Sequence, residues 1–373
     1  MRANRIITLH QPRRLEIGAG SVARVGTWAS DAARIFVLAT PHTAGFVNRL
    51  GLNGTITVFD AIPGEPDTAT FDAALEAARR ASPDLVVGLG GGSVMDVAKL
   101  VAALWDGKQT LLDVAGPDKV EGRRTRLVQI ATTAGTGSEA GIRALITDPG
   151  KGNKIAVESP HLIADLAILD PELTYSVPAA VTAATGVDAM AHCVEAFTNR
   201  KAHPVIDYYA RIGIDLVGRY LARAVRDGSD TEAREGMMIA SFYGGICLGP
   251  VNTAAGHALA YPLGTLLHLP HGLANAIIFP HVLAYNEQVA PAKTAEVVAA
   301  LGIAERAREE GLLAAAHGFC AGLGLEMQLS RHGAREEDLQ RFAEDAHAIR
   351  RLMDNNPRDM SVEDVLGIYR AAF

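Results

Sequence analysis

The chain has 373 residues and a formal net charge of −7, from 35 basic and 42 acidic side chains. At roughly 150 residues per domain, this length predicts two or three domains. An apolar fraction of 49% and a charged fraction of 21% argue against a disordered chain. The acidic balance argues against a nucleic-acid binder that tracks the phosphate backbone.

Cysteine content and hydropathy exclude two further classes of protein. Cys193, Cys247 and Cys320 are too few and too scattered for a disulfide framework or a thiolate zinc cluster. No apolar run reaches the length of about 18 residues that a membrane span needs. We therefore expect a cytoplasmic protein that binds neither a membrane nor nucleic acid.

The first half of the chain alternates between strands and helices. Strands are predicted over residues 34–39, 55–59, 84–89, 127–130 and 164–169. Helices are predicted over residues 68–81 and 93–105. This alternation predicts an α/β domain, with a parallel sheet covered by helices.

The second half is predicted to be all-α, because no convincing strand follows residue 178. Its helices are predicted over residues 178–199, 205–223, 232–248, 273–286, 291–301, 305–323, 336–352 and 362–373. The composition changes between residues 170 and 185. We therefore predict an α/β domain over residues 1–180 and a helical domain over residues 181–373.

A glycine-rich turn follows the strand at 84–89 and opens the next helix. It consists of Gly90, Gly91, Gly92 and Ser93, and Ser93 is the predicted N-cap of that helix. A helix N-terminus presents free backbone N–H groups, and glycines let a phosphate approach them closely. We expect a pyrophosphate at this turn, and a plain capped turn is the alternative.

A second glycine motif, residues 18–23, matches the dinucleotide pattern G-x-G-x-x-A. The strand before it, residues 14–17, is short and charged, so we interpret the motif mainly as a turn between an edge strand and a helix. A single match of this kind is weak evidence for a cofactor.

Hydroxyl residues and one lysine are further candidates for the cofactor site. Thr132, Thr133 and Thr136 follow the strand at 127–130, where side chains can contact a ribose or phosphate. Lys154 could neutralise a phosphate. An ordinary Ser/Thr-rich loop and a surface lysine are the alternatives.

Four residues of the second half form a candidate metal site. Asp188 and His192 are four positions apart, so they share one face of a helix with apolar flanks. His257 and His271 lie in largely apolar stretches. One carboxylate with three imidazoles suits Fe²⁺ or Zn²⁺. The alternative is a buried Asp–His hydrogen bond with two core histidines, and Glu195 is either an outer partner of the site or a simple ion pair.

Taken together, these motifs resemble the iron-containing (group III) alcohol dehydrogenase family over nearly the whole chain. They are GGGSVMD at 90–96, TTAGTGSE at 132–139, LDPE at 169–172, GVDAMAH at 186–192, and His257 followed by PHGLANA at 270–276. The resemblance implies reversible conversion of a small alcohol into its aldehyde or ketone by hydride transfer. It also implies a Rossmann-like domain, a helical domain, and a metal and nicotinamide cleft between them.

The same resemblance implies roles for individual residues, although it assigns no catalytic residue beyond the binding groups. The implied ligands of Fe²⁺, with Zn²⁺ as the other option, are Asp188, His192, His257 and His271. The implied contacts of NAD or NADP are Gly91, Gly92, Ser93, Asp96, Thr132, Thr133, Thr136 and Lys154. We also expect a homodimer or a higher homo-oligomer.

Two departures from the family pattern concern the substrate and the cofactor. Many members carry a further histidine four residues after the third ligand, where this chain has Tyr261. Members that prefer NAD often have an aspartate at the end of the second strand, where this chain has Thr40. No carboxylate there repels a 2′-phosphate, so NADPH is permitted beside NADH.

Two other reactions remain open on the same scaffold. One is the reduction of an oxo acid or semialdehyde, as in maleylacetate- or hydroxybutyrate-type enzymes. The other is a dehydroquinate-synthase-like lyase, which would turn its cofactor over internally.

Overall fold

The structure is a computed structural model that describes residues 5–150 and 153–373. This part of the chain forms two compact units. The α/β unit is Leu9–Ser176, and the helical unit is Val177–Phe373 together with the described residues up to Thr8. The division falls inside the stretch 170–185, where the composition changes.

All nine strands of the described residues belong to the α/β unit. They are β1 (Leu15–Ile17), β2 (Arg34–Ala39), β3 (Thr55–Phe59), β4 (Leu85–Gly90), β5 (Gly116–Pro117), β6 (Arg126–Ala131), β7 (Arg143–Asp148), β8 (Asn153–Glu158) and β9 (Leu166–Leu169). Six of them form a parallel sheet in the order β1-β9-β6-β4-β2-β3. The predicted parallel sheet is therefore confirmed.

The central strands are buried on both faces, which explains their nearly continuous apolar sequence. Phe36 and Val86 point into a core with α2 (Thr68–Ala81) and α3 (Gly92–Leu104). Ile35 and Val87 point to the opposite face, where α1 (Arg24–Trp28) packs. Strand β1 lies at the sheet edge, as expected from its short and charged sequence.

A second sheet of three strands, in the order β5-β8-β7, was not predicted from the sequence. Strands β7 and β8 pair in antiparallel fashion. In β7 the buried residues Ala144 and Ile146 alternate with less buried ones. This period of two is typical of a half-buried strand, but β7 is too polar to stand out beside the apolar strands of the main sheet.

The helical unit contains eleven α-helices and no strand among its described residues. The helices are α4 (Ala179–Thr198), α5 (Pro204–Arg226), α6 (Thr231–Leu248), α7 (Ala255–Leu267), α8 (His271–Asn286), α9 (Pro291–Ala300), α10 (Ala304–Glu310), α11 (Leu312–Ala321), α12 (Leu339–Ala348), α13 (Arg350–Met353) and α14 (Val362–Ala371). The predicted all-α character of this half is confirmed. None of the helices in the described chain is long and apolar enough to span a bilayer.

Helix α7 was not predicted, because Gly256, Pro262 and Gly264 all disfavour a helix. Proline in a helix interior removes one backbone hydrogen bond. Here Pro262 lies inside α7, and burial of Leu259 and Leu263 in the core stabilises the helix in spite of it.

Two of the predicted helices are each divided in the structure. The helix predicted over residues 305–323 is interrupted at Gly311, which has φ +90° and separates α10 from α11. The helix predicted over residues 336–352 begins as a 3₁₀ turn and is then divided into α12 and α13.

Two isoleucines that face each other in β2 and β3 test where the core of the α/β unit lies. Ile35 pairs with Ile56, but Ile35 is 1% exposed and Ile56 is 37% exposed. We expect Ile35→Ala to lower the free energy of unfolding by about 2–5 kcal/mol. The matched control Ile56→Ala should lower it by about 1 kcal/mol or less. Equal losses in urea denaturation would contradict this assignment of the core.

Candidate functional site

Helix α4 carries the first two residues of the candidate metal site. Asp188 and His192 are 3% and 5% exposed, and Nε2 of His192 lies 3.9 Å from Oδ1 of Asp188. The residues between them are small or apolar and pack in the core. The i,i+4 spacing therefore places both polar groups on one buried face of the helix, as predicted.

Helices α7 and α8 bring two more imidazoles to the same carboxylate. Nε2 of His257 lies 3.5 Å from Oδ1 of Asp188, and Nε2 of His271, the first residue of α8, lies 3.6 Å from it. Two donors at about 2.1 Å from one tetrahedral cation lie about 3.4 Å apart, so these distances suit donors that share an ion.

The four residues are not equally close to one another. Asp188, His192 and His257 are buried, and each offers a ligand atom within 4.8 Å of the other two. His271 lies outside this group of three, although it is close to Asp188, and its side chain is 29% exposed. It is therefore the most accessible of the four predicted ligands.

Glycines allow the helices to approach closely enough for these side chains to meet. A Cβ on Gly272 would lie 2.3 Å from the backbone oxygen of Ala184, so the first turn of α8 packs directly on α4. A Cβ on Gly244 of α6 would lie 3.1 Å from Cβ of His192. Larger residues at these positions would push α8 and α6 away from α4, which carries two of the predicted ligands.

The sequence left open whether Glu195 is an outer partner of the metal site or a simple ion pair, and the structure shows that it contacts a predicted ligand. Its Oε1 lies 2.6 Å from Nδ1 of His257, and its Oε2 accepts a hydrogen bond from the backbone N–H of Ala254. Since Nδ1–H donates to Glu195, Nε2 of His257 is the nitrogen that faces Asp188 and is available to a cation. Gly256 makes this contact possible, because a Cβ there would lie 2.6 Å from Oε1 of Glu195.

The electrostatics of the site keep its carboxylate ionised. Burial raises the pKa of Asp188, but the charges of His192 and His271 and the contact with His257 outweigh it and bring that pKa below its ordinary value. Burial lowers the pKa of His257, but the carboxylate of Glu195 leads the opposing interactions and raises it to about 10. The carboxylate of Asp188 and the imidazole of His257 thus stabilise each other's charged form in a buried place.

Asn275 belongs to the site but was missed in the sequence. Its Nδ2 donates to Oδ1 of Asp188 at 2.7 Å and lies 3.3 Å and 3.2 Å from Nε2 of His257 and His271. Asn275 is 2% exposed and follows His271 by four residues on α8. This i,i+4 spacing from a candidate ligand is the signal that would have identified it.

The glycine-rich turn joins β4 to α3, but its cap differs from the prediction. Gly91 is the N-cap of α3, no side chain caps the helix, and Ser93 is the second helical residue. The hydroxyl of Ser93 donates instead to the backbone oxygen of Gly64. The prediction of Ser93 as N-cap is wrong, because this hydrogen bond ties the hydroxyl to another loop.

The sheet topology places this turn where open α/β sheets bind ligands. In the sheet order, β3 lies on one side of β2 and β4 on the other, so the winding direction reverses between β2 and β4. Ligands bind at the carboxyl ends of the strands at such a point.

The predicted threonine loop lies against the glycine turn. The backbone N–H of Thr132 donates to the oxygen of Gly90 at 3.1 Å. A Cβ on Gly91 would lie 3.1 Å from Oγ1 of Thr133. A Cβ on Gly92 would lie 2.7 Å from Cγ2 of Thr136. The structure thus brings together two segments that are more than 40 residues apart in sequence.

Both carboxylate oxygens of Asp96 accept hydrogen bonds from the protein. Its Oδ1 accepts from the hydroxyl of Ser138 at 2.6 Å, and its Oδ2 accepts from the backbone N–H of Leu145 at 2.9 Å. Lys99 is fully buried beside it and donates to Ser138 Oγ at 2.8 Å and to the oxygen of Arg143 at 2.7 Å. The sequence analysis did not identify this supporting role of Lys99, which connects α3 to β7.

Lys154 lies on β8, where its Nζ is 2.6 Å from Oε2 of Glu65. Glu65 follows Gly64, the residue that accepts the hydrogen bond of Ser93. Two interactions therefore connect Lys154 to the glycine turn. Contacts of Lys154 and Asp96 with a cofactor stay predictions.

Comparison with known proteins gives the family. The family model described as "Iron-containing alcohol dehydrogenase" matches residues 12–171, and the model of the family's C-terminal part matches residues 182–373. The chain belongs to the iron-containing alcohol dehydrogenase family. It is therefore an oxidoreductase that acts as an alcohol dehydrogenase, which confirms the function expected from the motifs over the lyase alternative.

Individual relatives cover most of this chain. The long-chain-alcohol dehydrogenase 1 of Geobacillus thermodenitrificans is 37% identical over 328 residues, 86% of this chain and 82% of that protein. A crystal structure of 1,3-propanediol oxidoreductase has a TM-score of 0.93 and 30% identity, covering 99% of this chain and 100% of the other. Sulfoacetaldehyde reductase from Bifidobacterium kashiwanohense, in complex with NAD⁺, has a TM-score of 0.89 and 26% identity, with 99% of each chain covered.

The contact between Glu195 and His257 can be tested with an isosteric change. We expect Glu195→Gln to weaken the binding of Fe²⁺ or Zn²⁺ about 10- to 100-fold, because the amide no longer supports the tautomer and basicity of His257. Metal content after dialysis against a graded chelator series measures the effect. The control is Glu296→Gln, which removes a carboxylate that pairs with Arg211 on the surface. Unchanged metal retention in Glu195→Gln would contradict the role of this carboxylate.

Proposed function

We propose that this chain interconverts a small alcohol and its aldehyde or ketone at a divalent cation, with NAD(H) or NADP(H) as hydride carrier. The ligands are Asp188, His192, His257 and His271. The observation that carries the proposal is the convergence of three imidazole Nε2 atoms on one carboxylate oxygen, at 3.5, 3.6 and 3.9 Å. A mixed oxygen and nitrogen donor set of this kind suits Fe²⁺, and Zn²⁺ equally well by its chemistry.

The residues of the helical unit supply binding and orientation. When bound, the cation polarises the oxygen of an alcohol or carbonyl group, which favours hydride transfer at the adjoining carbon. Asp188 contributes one negative charge, so a positive charge remains on the filled site. Glu195 fixes the ring of His257, and Asn275 holds Oδ1 of Asp188 at 2.7 Å. These contacts restrict the movement of the ligands before the cation arrives.

The cofactor binds at the glycine turn of the α/β unit. The first backbone N–H groups of α3 have no partner within the helix and no side-chain cap, so they suit a pyrophosphate. Gly91 and Gly92 allow its close approach. Further contacts come from a set of polar side chains around this turn: Ser93, Asp96, Thr132, Thr133, Thr136 and Lys154.

The chain accepts both nicotinamide cofactors in this proposal. The NAD⁺ complex of the sulfoacetaldehyde reductase supports NAD. Thr40 follows β2 at the carboxyl edge of the sheet, and its Oγ1 lies 3.0 Å from Oγ1 of Thr43. A hydroxyl at this place does not repel the 2′-phosphate of NADP as a carboxylate would. All three cysteines are free and buried, which fits a reducing compartment, and we propose the cytoplasm.

Removal of the metal tests the proposed centre. We expect dialysis against a chelator to abolish the oxidation of NADH or NADPH with short aldehydes, and Fe²⁺ or Zn²⁺ to restore it. His257→Ala should retain less than about a tenth of the wild-type metal, because a buried ligand and the partner of Glu195 are lost together. The control His332→Ala removes a half-buried imidazole outside the site that contacts the backbone oxygen of Glu326. Full activity in metal-free protein would refute the proposal.

A small substitution in the glycine turn tests the cofactor site. Gly92→Ala places a Cβ 2.7 Å from Thr136 and fills the space next to the first turn of α3. We expect the dissociation constant of NADH, measured by fluorescence titration, to rise at least about 10-fold because the phosphate can no longer approach the backbone. In the control Gly122→Ala the new methyl group meets nothing within 4 Å. Equal affinities of the two variants would show that the cofactor binds elsewhere.

A further inference from the structure

Tyr261 and Arg351 extend the candidate metal site toward solvent. The ring of Tyr261 stacks on His271, with centroids 5.7 Å apart and planes at 28°. The guanidinium carbon of Arg351 lies 5.6 Å from the centroid of the Tyr261 ring, and its Nη2 lies 3.5 Å from the phenolic oxygen. Only one aromatic ring therefore separates a guanidinium from a predicted metal ligand.

Among the described residues, no carboxylate pairs with the guanidinium of Arg351. In residues 5–150 and 153–373 no carboxylate lies within 4.0 Å of its guanidinium. The neighbouring Arg350 differs, because it forms an ion pair with Asp354 one helical turn later. The contact between Arg351 and the tyrosine hydroxyl is long for a hydrogen bond, so most donors of the guanidinium remain available to a ligand.

Tyr261 keeps the guanidinium beside the site. A cation near the face of an aromatic ring is attracted by its quadrupole, and the stacking of Tyr261 on His271 fixes the position of that ring. Arginine presents its donors in a planar fork that matches a carboxylate or another oxyanion. The pair thus presents a guanidinium that is one aromatic ring away from a predicted metal ligand.

We propose that Arg351, positioned by Tyr261, is a specificity-determining residue that binds an anionic group on the substrate. The substrate class is a short aldehyde, or the corresponding alcohol, that carries a carboxylate or sulfonate at the end distant from the reacting carbon. This inference rests on the alcohol and aldehyde reaction proposed above, and it selects the semialdehyde alternative within it.

Matched substrates and matched variants test the receptor. The metal-loaded enzyme is assayed with 4-oxobutanoate and 2-sulfoacetaldehyde as anionic aldehydes and with pentanal as the neutral one. We expect Arg351→Met to lower kcat/KM for an anionic aldehyde about 10- to 100-fold, mainly through KM, because a charge-assisted hydrogen-bonded pair is lost. Activity with pentanal should stay within about threefold, and Arg351→Lys should retain part of the preference.

The control variant is Arg350→Met, which removes the same charge from the same helix without a contact to Tyr261. It should leave kcat/KM for all three aldehydes within about threefold of wild type. The wild-type preference for an anionic aldehyde should also weaken as salt is added, whereas that of Arg351→Met should not. A comparable loss of kcat/KM for the anionic aldehydes in both variants would show that the effect comes from the overall charge of the protein, and it would overturn the proposal.

Calorimetric binding of succinate to the metal-loaded enzyme provides a readout that does not depend on turnover. Its dissociation constant should rise about 10-fold or more in Arg351→Met and stay unchanged in Arg350→Met. One outcome is that pentanal is reduced but Arg351→Met changes neither succinate binding nor kcat/KM for the anionic aldehydes. This outcome would refute the proposed role of Arg351 and would leave the proposed alcohol dehydrogenase function intact. If no aldehyde is reduced at all, the proposed function itself fails.

Discussion

The convergence of three imidazoles on the carboxylate of Asp188 is the constraint on which the helical unit depends. A carboxylate buried to 3% exposure is costly unless it is paired or bound to a cation. Its partners come from three helices, so α4, α7 and α8 must meet at one point. The close contact of Gly272 with the backbone of α4 shows how small residues make this meeting possible.

The same requirement explains the polar groups that surround the predicted ligands. Glu195 fixes the ring of His257, and Asn275 donates to Asp188. A cation bound with this set is therefore supported by buried hydrogen bonds as well as by its ligands. Further from Asp188, the ring of Tyr261 stacks on His271, and the guanidinium of Arg351 lies beside that ring. The positive charge of Arg351 therefore lies at the edge of the site.

In the α/β unit, the parallel sheet determines where the first backbone N–H groups of α3, which have no partner within the helix, are presented. Parallel strands end at the same edge, so the turn after β4 and the loop after β6 lie side by side. The partly buried group formed by Asp96, Lys99 and Ser138 holds the first turns of α3 in position. These hydrogen bonds thus hold the turn that is predicted to bind a phosphate, although it contains three successive glycines.

Local sequence patterns predicted the strands of the six-stranded sheet, helices α2 and α3, the all-α second half and the candidate ligands, because buried strands, amphipathic helices and clustered ionisable groups leave such patterns. Contacts in the folded chain were needed to show that α7 is a helix through Pro262, that Gly91 rather than Ser93 is at the N-cap position of α3, and that Lys99 supports the turn. The same holds for the contact of Glu195 with His257 and for the position of Arg351 beside Tyr261. These features depend on contacts between residues distant in sequence, and burial in such contacts overrides the local preference of the chain.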